Sequence, residues 1–99
     1  MNLVIHPVNV DASTHLTDFI TKKMLKLETY FSPIMRTEVF LKTDTNDRIK
    51  DKIVEIKVHI PGKTLFVSEC TKSFEECVDL ALARAGRLLV KNKEKMKAI

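Results

Sequence analysis

The side chains with the most chemistry to offer in this sequence are three histidines and two cysteines, as metal ligands, proton carriers or a nucleophile with its base. Their placement favours none of these uses. His6, His15 and His59 fall on separate predicted elements, with no spacing that argues a metal site. Cys70 and Cys77 match no zinc pairing, and a bridge between them would need the chain to turn back on itself. They read as two buried thiols in a reducing cytosol. The sequence contains no G-x-x-x-x-G-K-[ST], no G-x-G-x-x-G, no G-x-S-x-G and no KH-type GXXG. The chain therefore reads as a binder rather than an enzyme, with no metal and no cofactor implied.

Binding chemistry is better supplied by the 17 Lys and Arg, which stand against 13 Asp and Glu for a net charge of +4. An excess of this sign favours an anionic partner. At about 100° per residue, Arg84, Lys91 and Lys95 share a narrow stripe of the predicted last helix, with Arg87 on its edge, while Lys93 and Lys97 point elsewhere. On the predicted first helix Lys22 and Lys26 flank the apolar stripe. Lys23 falls near its edge, beside Leu16, Leu27 and Tyr30. One such stripe is most simply a solvated face whose lysine stems cover apolar flanks. Two, on helices packed side by side, suit an anionic surface, and RNA backbone is the natural match. Phe19, Phe31 and Phe74 are assigned to the core, and only Tyr30 and Phe40 are expected to face out. Contacts should then be mainly to phosphate and shape rather than to splayed bases.

The elements that must carry these residues are legible in the periodicity. Asn2–His6 reads as a first strand limited by Pro7, with Leu3 and Ile5 on one face. Asp11, Ser13 and Thr14 are capable N-caps for a helix whose apolar residues Leu16, Phe19, Ile20, Met24, Leu27 and Phe31 recur at threes and fours. Asp18 is placed in its first turn, and Ser32-Pro33 ends it. Thr37–Thr43 and Lys52–Ile60 alternate as strands around a solvated loop, Asp44–Asp51. Pro61-Gly62 suits a type II turn into a last strand, Thr64–Thr71, with Leu65 and Val67 inward and Glu69 where that strand frays. Ser73 and Glu76 form a capping box for a final helix with Phe74, Cys77, Val78, Ala81, Ala85, Leu88 and Leu89 inward. Gly86 interrupts this helix, where it would permit close approach of another backbone or is simply tolerated.

The order β-α-β-β-β-α predicts an α+β fold: a four-stranded mixed sheet with both helices packed on one face. The first strand is expected parallel to its neighbour through a right-handed helical crossover. From the first helix onward the order is also that of double-stranded-RNA-binding domains. At 99 residues, 44% hydrophobic and 30% charged, the chain suits one soluble domain. Two Gly and three Pro leave no room for collagen or low-complexity character. No apolar run approaches the roughly 18 to 20 residues of a membrane span, and the N-terminus lacks the marks of a secretory signal, so the expected compartment is the cytoplasm.

The residues resemble a known family. Leu3-x-Ile5 with Asn9-Val10-Asp11-x-Ser13-x-x-Leu16, then Phe19-Ile20-x-x-Lys23-x-x-Lys26-Leu27-Glu28-x-Tyr30-Phe31, look like the first strand and signature first helix of the short ribosome hibernation-promoting factors. Ser73-Phe74-x-x-Cys77-Val78-Asp79 and Arg84-x-x-Arg87-x-Leu89-x-Lys91-x-Lys93 are similar to the second helix of that family. It also contains ribosome-associated inhibitor A (protein Y) and carries the label sigma-54 modulation protein. No single motif is specific, but their order and spacing span nearly the whole chain.

The resemblance implies a protein that binds the small ribosomal subunit in its decoding channel, through rRNA and with ribosomal proteins as further neighbours. There it would block mRNA and tRNA and inhibit translation in stationary phase or stress, with neither a membrane nor a small-molecule substrate involved. It puts rRNA contacts on Lys23, Lys26, Arg84, Arg87 and Lys91, to which the helix flanks add Lys22 and Lys95. His6-Pro7, Thr17, Glu75 and Gly86 depart from the usual Thr-Gly-like pair, Arg, Tyr, and Ala or Glu. Each could trim a contact, and none removes the basic flanks. Residues 1–99 are expected to be a single ribosome-binding domain lacking the C-terminal dimerisation domain of the long forms, so pairing of ribosomes would call for a separate dimerising factor or for contacts the sequence does not show. The competing readings are a protein-interaction modulator of sigma-54-dependent transcription and a generic double-stranded-RNA binder.

Overall fold

Alternation in one strand sets the register of the rest. In β3 (Lys52–Ile60), Val54, Ile56, Val58 and Ile60 are buried on one face, and the residues between them face the other way, as the two-residue period of a strand requires. The protein is described by a computed structural model covering residues 2–30, 33–46, 49 and 51–97. Pro61 and Gly62 close the hairpin to β4 (Lys63–Thr71). Proline holds the first central position at negative φ, and Gly62 has φ +88°, the combination a type II turn needs. On the other side β3 pairs antiparallel with β2 (Arg36–Thr43), Val39 facing Ile56. β1 (Asn2–Pro7) joins parallel to β2 at the edge, giving the sheet order β1-β2-β3-β4.

Pro7 is tolerated because β1 is an edge strand. The ladder continues through the Val8 N–H, which donates to the Leu41 carbonyl at 2.9 Å. Asn9 then takes φ +55°, a left-handed conformation its side chain tolerates, and turns the chain toward α1 (Thr14–Met24). Ser13 is the cap used: its hydroxyl accepts from the Leu16 N–H at 3.1 Å. Asp18 lies beyond the first turn, which contains no acidic residue, and so gains little from the helix dipole there.

The α-helix also ends earlier than the apolar spacing predicts. At Leu25 it tightens into a 3₁₀ turn, Leu25–Thr29. Three residues per turn set Met24, Leu27 and Tyr30 in line. Leu27 thereby stays buried with Met24. Phe31, assigned to the core, and Ser32, assigned to the helix end, lie outside the described residues.

α2 (Phe74–Lys97) begins with half of the expected capping box. The Glu76 N–H donates to the Ser73 hydroxyl at 3.2 Å, while the Ser73 N–H points to the Thr71 hydroxyl at 3.4 Å instead of to Glu76. Thr71 is drawn there by donating its own proton to the Ser73 carbonyl at 2.7 Å. β4 does not fray at Glu69. It stays paired, opposite Val54, and runs to Thr71.

Both helices cover one face of the sheet, α2 over β3 and β4, and α1 beside β1 and α2. Ile20, Met24 and Leu27 meet Cys77, Val78, Ala81, Ala85 and Leu89 and the inward strand residues in one core, against which Leu3 and Ile5 pack. Truncating a side chain such as Leu89 there would cost about 2–5 kcal/mol. Cys77 is buried, its thiol donating to the Glu69 carbonyl at 3.0 Å, and burial pushes its pKa up. Cys70, by contrast, alternates onto the outer sheet face and is exposed, so only one of the expected buried thiols is buried. Because β1 and β4 run the same way, the helices that follow each of them run parallel to one another.

Candidate nucleic-acid interface

The helical layer presents its basic residues outward, but not as two stripes meeting at a seam. The seam itself is made by two contacts spaced equally along both helices. Lys23 Nζ lies 3.2 Å from an Asp79 carboxylate oxygen. Farther along, the Tyr30 ring lies over Gly86, where an added Cβ would stand 3.1 Å from ring carbon Cε2. The close approach that Gly86 permits is thus to an aromatic ring rather than to a backbone.

On α2, Asp79 and Gly86 project about 140–160° away from Arg84. Arg84 turns instead to the sheet, its Nη1 donating to the Ser68 carbonyl at 3.1 Å and lying 3.2 Å from a Glu69 carboxylate oxygen. The stripe Arg84, Lys91, Lys95 therefore runs along the β4 flank of α2, and Arg87 stands between it and the seam. Lys22 and Lys26 lie exposed on α1 and the 3₁₀ turn, across the seam.

The expected site residues consequently divide into two groups. Lys22, Lys26, Arg87, Lys91 and Lys95 are exposed and have no ion pair among the described residues. Lys23 and Arg84 are held by Asp79 and by Glu69 with Ser68. The position of Lys23 at the edge of the apolar face, unusual on a wheel of α1 alone, is accounted for by Asp79 and by the Phe19 ring, whose centroid lies 5.4 Å from Nζ. A shallow groove of about 550 Å³ runs along this surface, with Tyr30, Gly86, Arg87, Val90 and Lys91 among its walls. Tyr30 is half exposed there, its ring over Gly86 and beside cations.

The helix-free face of the sheet holds what reading the elements singly missed. His6 on β1 and His59 on β3 converge on Glu38 of β2, donating to its two carboxylate oxygens at 2.9 and 2.7 Å, and Arg36 adds a third contact at 3.1 Å. The His59 hydrogen bond, followed by that of His6, holds the Glu38 carboxyl below the usual carboxylate range. The other ring nitrogen of His59, Nδ1, lies 3.0 Å from the Thr64 hydroxyl. Among the described residues no group of three or more His, Cys, Asp or Glu side chains is placed to hold a metal ion. Phe66, overlooked among the outward aromatics, is more exposed than Tyr30. Its signal was the alternation with Leu65 and Val67.

Residues 3–97 match the family described as sigma 54 modulation protein / S30EA ribosomal protein. The chain belongs to that family. Relatives within reach of sequence comparison include proteins named ribosome hibernation promoting factor. That of Salmonella typhimurium is 30% identical over 97 residues, and that of Escherichia coli K12 is likewise 30% identical, the alignment covering 98% of each chain in both cases. The Azotobacter vinelandii protein is 28% identical over 86 residues, 87% of this chain and 77% of that one. Among solved structures, a ribosomal subunit interface protein from Coxiella burnetii superposes with a TM-score of 0.85 at 23% identity, covering 95% of this chain and 99% of the other. The Thermus thermophilus protein Y N-terminal domain gives 0.79 at 23%, covering 92% and 98%. These likenesses establish the fold, β-α-β-β-β-α with a mixed sheet, in the form this member of the sigma 54 modulation / S30EA family adopts. No helix among the described residues is long and apolar enough to cross a membrane.

Proposed function

We propose that this member of the family is a cytoplasmic ribosome hibernation factor. In this reading it binds the small ribosomal subunit through rRNA in the decoding channel, excludes mRNA and tRNA, and inhibits translation in stationary phase or stress. The observation that carries it is the set of exposed cations without carboxylate partners among the described residues, Lys22, Lys26, Arg87, Lys91 and Lys95, ranged across one helical layer. Family membership supports it, as do the names of relatives aligned over nearly their full length. The mechanism is occupancy: phosphates meet the ammonium and guanidinium groups, counterions are released, and the bound domain fills space that mRNA and tRNA need. No bond is made or broken. Lys23 and Arg84 join the interface only by exchanging Asp79 and Glu69 for phosphate.

The test is co-sedimentation with small subunits. Lys26→Glu combined with Lys91→Glu should abolish it while leaving the thermal transition in place, since both side chains are exposed. Retention of binding by the folded double variant would refute the site. Recovery with RNA polymerase rather than small subunits would instead favour the transcriptional role in the family's description. Equal affinity for any plain RNA duplex of about 16 base pairs would favour generic duplex binding.

A further inference from the structure

The sheet face opposite the helices carries a second arrangement of charge and aromatic surface. The strand registers place His6, Phe40, Glu55 and Ser68 in one cross-strand row, with Val4, Glu38, Lys57 and Phe66 in the next. Both carboxylates on these rows are recessed and engaged. The Glu38 side chain is 16% exposed beneath His6, His59 and Arg36, and that of Glu55 is 22% exposed, 2.7 Å from Lys42. The cations over them stand out, Arg36 at 49% and Lys42 at 38%. Lys57 is exposed with no carboxylate partner among the described residues, its Nζ 5.2 Å from the centroid of the Phe40 ring, which His6 covers at 4.6 Å. Directly across from Lys57 on β4, Phe66 is 51% exposed.

We propose that this face binds single-stranded RNA, with a base stacked on Phe66 and the adjoining phosphates held by Lys57 and by Arg36 or Lys42. The charge favours this occupant. Anions here are sunk and neutralised while cations project, so the face offers positive potential to a polyanion. An open ring beside a free ammonium is the pairing that single-strand binders use, because every base has a π face and every nucleotide a phosphate. The surface is separate from the helical layer, on the other side of the sheet, and its occupancy does not require that layer to be engaged.

The test is fluorescence anisotropy of a labelled twelve-residue oligouridine at low salt, with the intact chain and three variants. Phe66→Ala should weaken binding about 5-fold or more, the loss of one base–aromatic stack. Lys57→Glu should weaken it at least as much and lower the slope of log affinity against log salt by about 0.7. The helical-layer double variant, Lys26→Glu with Lys91→Glu, should bind the oligonucleotide within about threefold of the parent while failing on small subunits. Failure of this inference is therefore distinguishable from failure of the ribosome reading. Oligouridine affinity unchanged in both sheet-face variants, or lost only in the helical-layer variant, would overturn it. So would equally tight binding of polyglutamate to parent and Phe66→Ala proteins, which would mark the face as a site for acidic protein.

Discussion

If the helical layer binds the small subunit as proposed, the salt dependence of that binding is the sharpest number the layer supplies. Each phosphate neutralised by a cation lowers log affinity against log salt by about 0.7 to 0.9. Lys22, Lys26, Arg87, Lys91 and Lys95 have no ion pair among the described residues, whereas Lys23 and Arg84 already sit on Asp79 and Glu69. If the unpaired set makes one contact each, the slope is about −3.5 to −4.5, and raising salt from about 50 to 200 mM weakens binding about 100- to 500-fold. If all the basic positions engaged, the slope would be about −5 to −6. The assay is filter binding or sedimentation of the protein with purified small subunits across that salt range. It is repeated for Lys91→Gln, which should flatten the slope by about one contact, and Lys23→Gln, which should leave it unchanged. A parent slope of −5 or steeper would refute the division into free and committed cations. A slope shallower than about −2 would refute the helical layer as the interface.

Four further outcomes follow from particular contacts. Asp79→Asn releases Lys23 from an exposed pair worth at most about 1 kcal/mol, so stability should change little while small-subunit affinity rises several-fold, read in the same binding assay. Gly86→Ala should stabilise by about 0.5–1 kcal/mol and raise Tm by about 2–8 °C in calorimetry. The half-exposed Tyr30 ring can yield the few tenths of an ångström required, whereas Gly86→Leu would drive it off the seam and destabilise. For Glu38 the folded pKa is lowered, so its contribution to stability is full above its unfolded value and is lost as pH falls through the folded one. Denaturant titrations on acidification should show a steeper fall for the parent than for Glu38→Gln. Cys70 should react with iodoacetamide in the folded protein and Cys77 only after unfolding, as mass spectrometry of the alkylated chain would show.

Alternation was enough to read the sheet, because a strand with one buried face leaves a two-residue signature. Val54, Ile56, Val58 and Ile60 and the Pro61-Gly62 turn are found as expected. Phe66 was legible by the same rule, since it lies between inward Leu65 and Val67, and its omission made stacking aromatics look scarcer than they are. The switch at Leu25 from α to 3₁₀ was not legible, because apolar residues at threes and fours suit either helix, and the contact that follows it, Tyr30 over Gly86, joins residues far apart in the chain. The ion pairs were hidden for a related reason. Lys23 with Asp79, Arg84 with Glu69, and Glu38 with His6 and His59 each join elements far apart in the chain. A wheel of one helix places a charge on a flank, but says nothing of which acid stands across from it.

The clustering of cations near both helix ends has a structural explanation that competes with the functional one, and the geometry separates them. Two parallel helices direct their negative dipole ends the same way, and cations in a last turn are stabilised there whatever the protein binds. That covers Lys22 and Lys23, in the last turn of α1, Lys26, in the last turn of the 3₁₀ segment that continues it, and Lys95, in the last turn of α2. It does not cover Lys91 and Arg87, which precede the last turn of α2, because the dipole's effect fades within one turn. Neither of these two has an acid of its own among the described residues. Arg87 and Lys91 are thus the residues whose positions the fold leaves unexplained and contact with a phosphate backbone would explain.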